Sequence, residues 1–147
     1  MAITVEGGSI EQAVFVSHQI EEFVNPPEDE AYRKRLAGVD ALILIASEGD
    51  RPVGYKVGYD RCRDKKVFYS WMGGVLSSHR RQGIATLLQV AMEEWCKKQG
   101  YSYLRFKTRN THKQMILFGL SHGFFLQDME KRPRVEDHRL IFEKRLT

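Results

Sequence analysis

The chain is poor in cysteine, with two among its 147 residues, Cys62 and Cys96. Neither sits in metal-ligand spacing, and two thiols make no disulfide framework. Structural zinc and a disulfide-stapled secreted fold are therefore not expected, and a reducing, cytoplasmic setting is. No apolar run approaches the roughly 20 residues that a membrane helix needs, so no membrane partner is expected. The start, Met1-Ala2-Ile3-Thr4-Val5-Glu6, lacks a basic region followed by an apolar stretch and does not read as a signal peptide. Internal repeats, low-complexity segments and linkers are absent too. The charge excess is small, +4 with a pI near 9.1. A mild, dispersed excess does not single out nucleic acid, and Tyr69 and Trp71 lie in apolar strand context, so no nucleic-acid partner is expected. A local basic rim around an anionic ligand accounts for the excess equally well.

What remains is an ordinary globular composition, 42% hydrophobic and 29% charged, at a length that suits a single domain (1–147) with one core. Residues 2–6 alternate as a strand. Ser9 and Gln12 form a capping-box signal for a helix expected to run to about Val24, where Asn25-Pro26-Pro27 ends it. Residues 28–37 read as a second helix, stopped at Gly38. Residues 41–46 form a continuous apolar strand, 48–51 a hairpin turn, 52–59 the returning strand and 67–75 the next. A helix after Gly83 places Ile84, Leu87, Leu88, Ala91 and Trp95 on one face and closes at Gly100. Then come a strand over 101–108, a helix over 111–122 and two strands near 125–131 and 139–145. Alternation of this kind predicts a mixed α/β sheet with helices on both faces.

The richest stretch is residues 75–88, a strand end, a basic turn with glycine and an amphipathic helix start. First-turn amides of a helix have no partner inside the helix, and the dipole adds partial positive charge there. Gly83 lets a ligand approach the backbone, and Arg80 and Arg81 add full charge. The geometry suits a pyrophosphate, held by backbone amides of Arg81, Gln82, Gly83, Ile84, Ala85 and Thr86.

Arg80-x-x-Gly83-x-Ala85 resembles the acyl-CoA pyrophosphate loop of the GNAT superfamily of N-acetyltransferases. Upstream, residues 67–75 are similar to that family's central strand. Downstream, Asn110, the segment Met115–Phe118 and Gly123-Phe124 resemble its C-terminal signature. The resemblance covers most of the chain and is weakest in the first forty residues. It implies a GNAT-type α/β fold: a mixed, mostly antiparallel sheet flanked by helices, opening in a V between the fourth and fifth strands. It implies acetyl-CoA as the cofactor, its arm pairing with Gly73 and Val75, and transfer of acetyl to a primary amine by direct attack. The acceptor is expected to be a small-molecule or peptide amine, and a homo-oligomer is compatible with the sequence. A longer acyl group, or a non-catalytic acyl-CoA sensor, are the alternatives.

Removing a proton from the amine calls for a base or a water chain. Some family members carry a glutamate where this chain has Tyr69. A phenol with pKa near 10 is a poor base, so Tyr69 either relays a proton through water or shapes the pocket. Core packing of Tyr69 and Trp71 is an equal reading. Phe118 stands where many members place a tyrosine that protonates the leaving thiolate, and phenylalanine cannot, so it is expected to pack near the thioester. Asn110 is expected to hydrogen-bond the cofactor arm or to serve a turn. Glu21, Glu22, Glu28, Asp29 and Glu30 flank Pro26-Pro27 in the segment that covers the acceptor in this family. A cationic acceptor is expected from them, with Glu21 or Glu22 nearest and assisting catalysis. His79, His112 and His122 read as surface or capping residues and Cys96 as packing.

Overall fold

The computed structural model describes residues 2–147. The strands are β1 (Ile3–Gly7), β2 (Ala41–Glu48), β3 (Arg51–Tyr59), β4 (Val67–Val75), β5 (Tyr103–Arg109), β6 (Phe125–Glu130) and β7 (Arg139–Arg145). The helices are α1 (Ile10–Ser17), α2 (Asp29–Leu36), α3 (Ile84–Gln99) and α4 (Lys113–Ser121), with single 3-10 turns at Ser77–His79 and Val135–Asp137. All strands join one sheet in the order β1-β2-β3-β4-β5-β7-β6. Every neighbouring pair is antiparallel except β4 and β5, which are parallel and connected through α3. This is the mixed, mostly antiparallel sheet that the sequence implied. Among the described residues no helix is long and apolar enough to cross a membrane.

Glycine contacts assign the helices to faces. Register pairs Gly54↔Val75 and Tyr55↔Gly74 place these neighbours on opposite sides of the sheet. A Cβ on Gly54 would lie 3.3 Å from Ile84 and 3.4 Å from Leu88 of α3. One on Gly74 would lie 2.6 Å from Ile20 and 3.1 Å from Phe23, in the connection between α1 and α2. Thus α3 covers one face, and α1 with its connection to α2 covers the other. Helix α4 joins α3, its end tied by a 3.1 Å contact between Thr86 Oγ1 and His122 Nε2.

Two helix readings need correction. The capping box forms as expected, with Ser9 and Gln12 satisfying each other's backbone, but α1 stops at Ser17 and does not reach Val24. Ser17 Oγ turns back onto the Val14 carbonyl (2.8 Å), and three-residue turns follow, Ile20 N–H to Ser17 and Phe23 N–H to Ile20. The early stop is what seats Ile20 and Phe23 over Gly74. On α3 the buried stripe is Ile84, Leu88, Met92 and Cys96 at four-residue spacing, while Leu87 faces outward.

Strands β4 and β5 pair at only three positions, Val67↔Tyr103, Phe68↔Leu104 and Tyr69↔Arg105. Beyond Tyr69 both strands continue without further pairing, which leaves a gap in the backbone ladder between them. The β3–β4 register explains it. Gly58 faces Ser70 and Val57 faces Met72, so Trp71 is an extra residue. A bulge of this kind bends its strand and sharpens the twist. Glycine within a strand marks a bulge or a close approach; at Gly73-Gly74 the bulge itself is not found and lies earlier, at Trp71. Gly74 is glycine because Ile20 and Phe23 occupy the space of a side chain.

Candidate active site

The phosphate loop follows directly from the end of β4. Arg81 and Gly83 both adopt left-handed backbone, with φ of 63° and 77°. That conformation costs a residue with a Cβ energy and costs glycine little. No side chain caps α3, whose regular bonding starts with Leu87 N–H to the Gly83 carbonyl (3.0 Å). The preceding amides, Ile84 to Thr86, are the orphan donors of a helix start. A Cβ on Gly83 would meet nothing within 4 Å, so the loop presents an open cradle over these donors. Buried Ile84 pins the helix beneath it, while Arg81, Gln82, Ala85 and Thr86 are exposed. These features fit a bound pyrophosphate.

The adjoining edge of β4 is also unpaired. Leu76 N–H bonds the Val53 carbonyl on β3 (2.9 Å). Alternation along a strand therefore turns the backbone groups of Val75 and Gly73 toward the gap. The Val75 carbonyl accepts from Arg80 Nε at 3.1 Å, and Gly73 is exposed.

Arg80 has a partner the sequence did not reveal. Its guanidinium forks onto Glu22, with Nη1–Oε2 at 2.5 Å and Nη2–Oε1 at 3.0 Å. Hydrogen bonding to Arg80 holds the Glu22 carboxyl far below its ordinary value, at about 2. Glu22 is therefore held as a carboxylate facing Arg80 in this arrangement. Since folding lowers its pKa, the tie is complete above about pH 4.5 and is lost as pH falls toward 2. The other acidic candidates are dispersed: Glu28 contacts His18 (3.0 Å) and Asp29 contacts Arg33 (3.6 Å). Glu22→Gln is expected to raise coenzyme A affinity about threefold, because Arg80 is no longer shared with a competing anion. Calorimetry at low and high salt checks this; a fall in affinity would show that Glu22 positions Arg80 instead.

At the apex of the gap stands Tyr69, half-buried, its phenol pushed above the usual value chiefly by burial. Its ring meets Tyr59 edge-on at 5.9 Å, and Tyr59 meets Trp71 at 6.0 Å. Arg61 lies 5.1 Å over Tyr69 and Arg35 4.7 Å over Trp71. A cavity of about 80 Å³ opens here, lined by Arg61, Cys62, Val67, Tyr69 and Arg105. Sequence reasoning missed both Arg35 and Arg61, since nothing local marks a cation that reaches an aromatic ring on another element. A larger cleft of about 390 Å³, lined by Gly38, Val39, Asp40, Asp60, Arg63 and Lys65, lies at the far end of β4 from the phosphate loop. Its acids are occupied in holding the β3–β4 connection: Tyr101 Oη donates to Asp40 (2.9 Å) and Asp60 (3.0 Å), and Lys65 pairs with Asp40.

Phe118 stacks on His122, ring centroids 4.0 Å apart. His122 Nδ1 lies 2.8 Å from the Phe118 carbonyl, which can only accept, so Nδ1 donates there, and Nε2 meets the Thr86 hydroxyl at 3.1 Å. This chain of contacts brings Phe118 to the first turn of α3. Asn110 donates through Nδ2 to the Val135 carbonyl (3.1 Å), fixing the β6–β7 connection; the α4 cap falls at His112. His79 is buried, not a surface residue: Nδ1 meets Ser78 Oγ at 2.7 Å and Nε2 meets Glu48 at 3.3 Å.

Comparison with known proteins agrees with this geometry. The sequence matches the model of the acetyltransferase (GNAT) family over residues 12–124. No curated protein matches it by sequence. Among solved structures, the fold is similar to the ribosomal-protein-S18-alanine N-acetyltransferase from Escherichia coli, with TM-score 0.84 and 13% identity over 99% of this chain and 95% of that one. It is similar to a chain of the NatC complex bound to Gag peptide and CoA, with TM-score 0.80 and 20% identity over 100% of both chains. It is also similar to a GNAT family acetyltransferase from Elizabethkingia anophelis with acetyl-CoA bound, with TM-score 0.73 and 16% identity over 97% of each. Identities this low speak for the fold alone, whereas the family model spans most of the sequence: the chain belongs to the GNAT family of acetyltransferases.

Proposed function

We propose that this protein transfers the acetyl group of acetyl-CoA to a primary amine by direct attack in a ternary complex. The observation that carries the reading is the gap between β4 and β5, lined by unpaired β4 backbone at Gly73 and Val75 and ending at the uncapped start of α3. The amides of residues 81–86 and the charge of Arg81 hold the pyrophosphate, with Arg80 shared between that anion and Glu22. Val75 and Gly73 take the cofactor arm as an added strand, and the Gly73 N–H polarises the thioester carbonyl. The amine nitrogen bonds to the carbonyl carbon, the C–S bond breaks, the sulfur leaves as thiolate and the amine proton passes to water. Tyr69 stays protonated at neutral pH and orders that water. Phe118 packs beside the cofactor arm and supplies no proton; a thiolate is stable enough to leave without one. Asn110 acts through the connection it holds. Cys96 lies on the buried face of α3, its thiol pushed up to about 12 by burial, and is no nucleophile. The two unpaired cysteines suit a reducing cytoplasm.

Calorimetry with coenzyme A and thiol release from acetyl-CoA across an amine panel test the proposal. Stoichiometric binding and intersecting double-reciprocal plots are expected. Parallel plots would replace direct attack with an acyl-enzyme route. Binding without turnover of any amine would make the protein an acyl-CoA sensor.

A further inference from the structure

Four aromatic rings line the α1–α2 face of the sheet around the apex of the gap: Tyr32, Trp71, Tyr59 and Tyr69, successive centroids 5.0, 6.0 and 5.9 Å apart. Arg35 and Arg61 lie over the second and last of them. Among the described residues neither guanidinium has a carboxylate within ion-pair distance. Arg35 donates only to the Tyr59 hydroxyl, at 3.3 Å. Three neighbouring cations do have carboxylate partners. Arg105 pairs with Glu143 (2.6 Å), and Lys107 (2.9 Å) and Arg132 (3.3 Å) share Glu130. Arg35 and Arg61 thus set two positive charges without carboxylate partners on the two rings that β4 presents at the gap.

A guanidinium resting on an aromatic ring keeps its in-plane N–H donors free, in the fork that matches a carboxylate. The cavity under Arg61, about 80 Å³, holds two or three water-sized groups. Trp71 and Tyr69 precede Gly73 by two and four residues, roughly 7 and 13 Å along an extended strand. A carboxylate a few bonds from the attacking amine covers only part of that span, and the long arginine stems reach the rest of the way.

We propose that the acceptor is an amine bearing a carboxylate near its nitrogen, held by Arg61 and Arg35; the inference rests on the acetyl-transfer reading above. An amino acid, or a peptide with an acidic first residue, has this chemistry, and a polyamine does not. The same two charges serve the reaction, because cations beside an ammonium favour its neutral, nucleophilic form. They perform the task for which a strand carboxylate is absent at Tyr69. This acceptor differs from the cationic one expected from Glu21 and Glu22; of these two, Glu22 pairs with Arg80.

The test presents acetyl-CoA-loaded protein with matched probes. L-amino acids are compared with their carboxamides, peptides beginning with Asp or Glu with those beginning with Asn or Gln, and a diamine serves as the cationic probe. The first pair of sets separates a free amino acid from a peptide end as the source of the carboxylate. Carboxylate members of one set are expected to exceed their neutral partners by about tenfold in kcat/KM, largely through KM. In Arg61→Gln and Arg35→Gln that ratio is expected to collapse toward one, while calorimetric affinity for coenzyme A stays within twofold and marks the variants as folded. Equal rates for carboxylate and carboxamide, preference for the diamine, a ratio untouched by both substitutions, or no turnover in either set would each overturn the inference. Failure of coenzyme A to bind the unaltered protein would instead remove the acetyl-transfer reading beneath it.

Discussion

Gly83→Val is expected to weaken coenzyme A binding by about a hundredfold, the loss of two or more charge-assisted hydrogen bonds. The position has two constraints that separate cleanly. Its φ of 77° belongs to the left-handed region, so any side chain brings strain of about 1–2 kcal/mol. That is a minor fraction of the roughly 5–15 kcal/mol that stabilises a domain, and the protein stays folded. Its Cβ direction points into space with no atom within 4 Å, so the added group meets no protein. What it fills is the approach to the Ile84–Thr86 amides. Gly83→Asn tests the separation, since asparagine tolerates left-handed backbone yet still occupies the cradle. Both variants are expected to lose affinity, with asparagine nearer to native stability. Calorimetry and thermal unfolding on the same samples decide it; undiminished affinity in either folded variant removes the pyrophosphate from this loop.

Gly58→Val acts at the other constraint, the bulge. A Cβ there would lie 2.5 Å from Phe68 Cε2, 2.9 Å from the Met92 methyl and 2.9 Å from the Tyr69 carbonyl. Rotating a side chain relieves the first two contacts. The third is backbone, so β3 and β4 must separate. The expected cost is about 3 kcal/mol, the upper part of the overpacking range, and a Tm lower by about 10 °C. Urea unfolding measures it. A midpoint matching the unaltered protein would mean that the sheet yields at the bulge without penalty. Because Gly58 stands opposite Ser70, the displacement also falls on the strand that forms one wall of the gap.

Local chemistry in the sequence was sufficient for the parts that depend on local chemistry. Ser9 and Gln12 announced the start of α1, Gly100 the end of α3, and Arg80 to Ala85 the glycine turn into α3, since caps and left-handed turns are decided by residues a few positions apart. Strand β7 falls on the expected residues for the same reason: its alternation survives next to one buried face. The end of α1 was misread because Ile20 and Phe23 continue a helical pattern, yet their partner is Gly74, more than fifty residues away. The Trp71 bulge has no signature of its own; the register between β3 and β4 places it. His79 looked like a surface residue because Glu48 is invisible at short range. The ties from Arg80 to Glu22, Arg35 to Trp71 and Arg61 to Tyr69 all join elements far apart in sequence. The pyrophosphate end of the candidate site is built from neighbours along the chain and could be read. The acceptor end is assembled from four separate segments and could not.

The three-pair seam between β4 and β5 has a consequence for linkage. It divides the sheet into a four-stranded plate and a three-stranded plate, joined along less than half the length of either bordering strand. A ligand arm lying in the gap completes backbone pairing that the chain by itself leaves open, and so acts as a missing eighth strand. Such a ligand binds only when the plates hold their native spacing, and every occupied molecule is withdrawn from the unfolding equilibrium. Catalytic competence and resistance to unfolding are thereby coupled through one crevice, and the concentration of cofactor around the protein sets how firmly its two halves are held together.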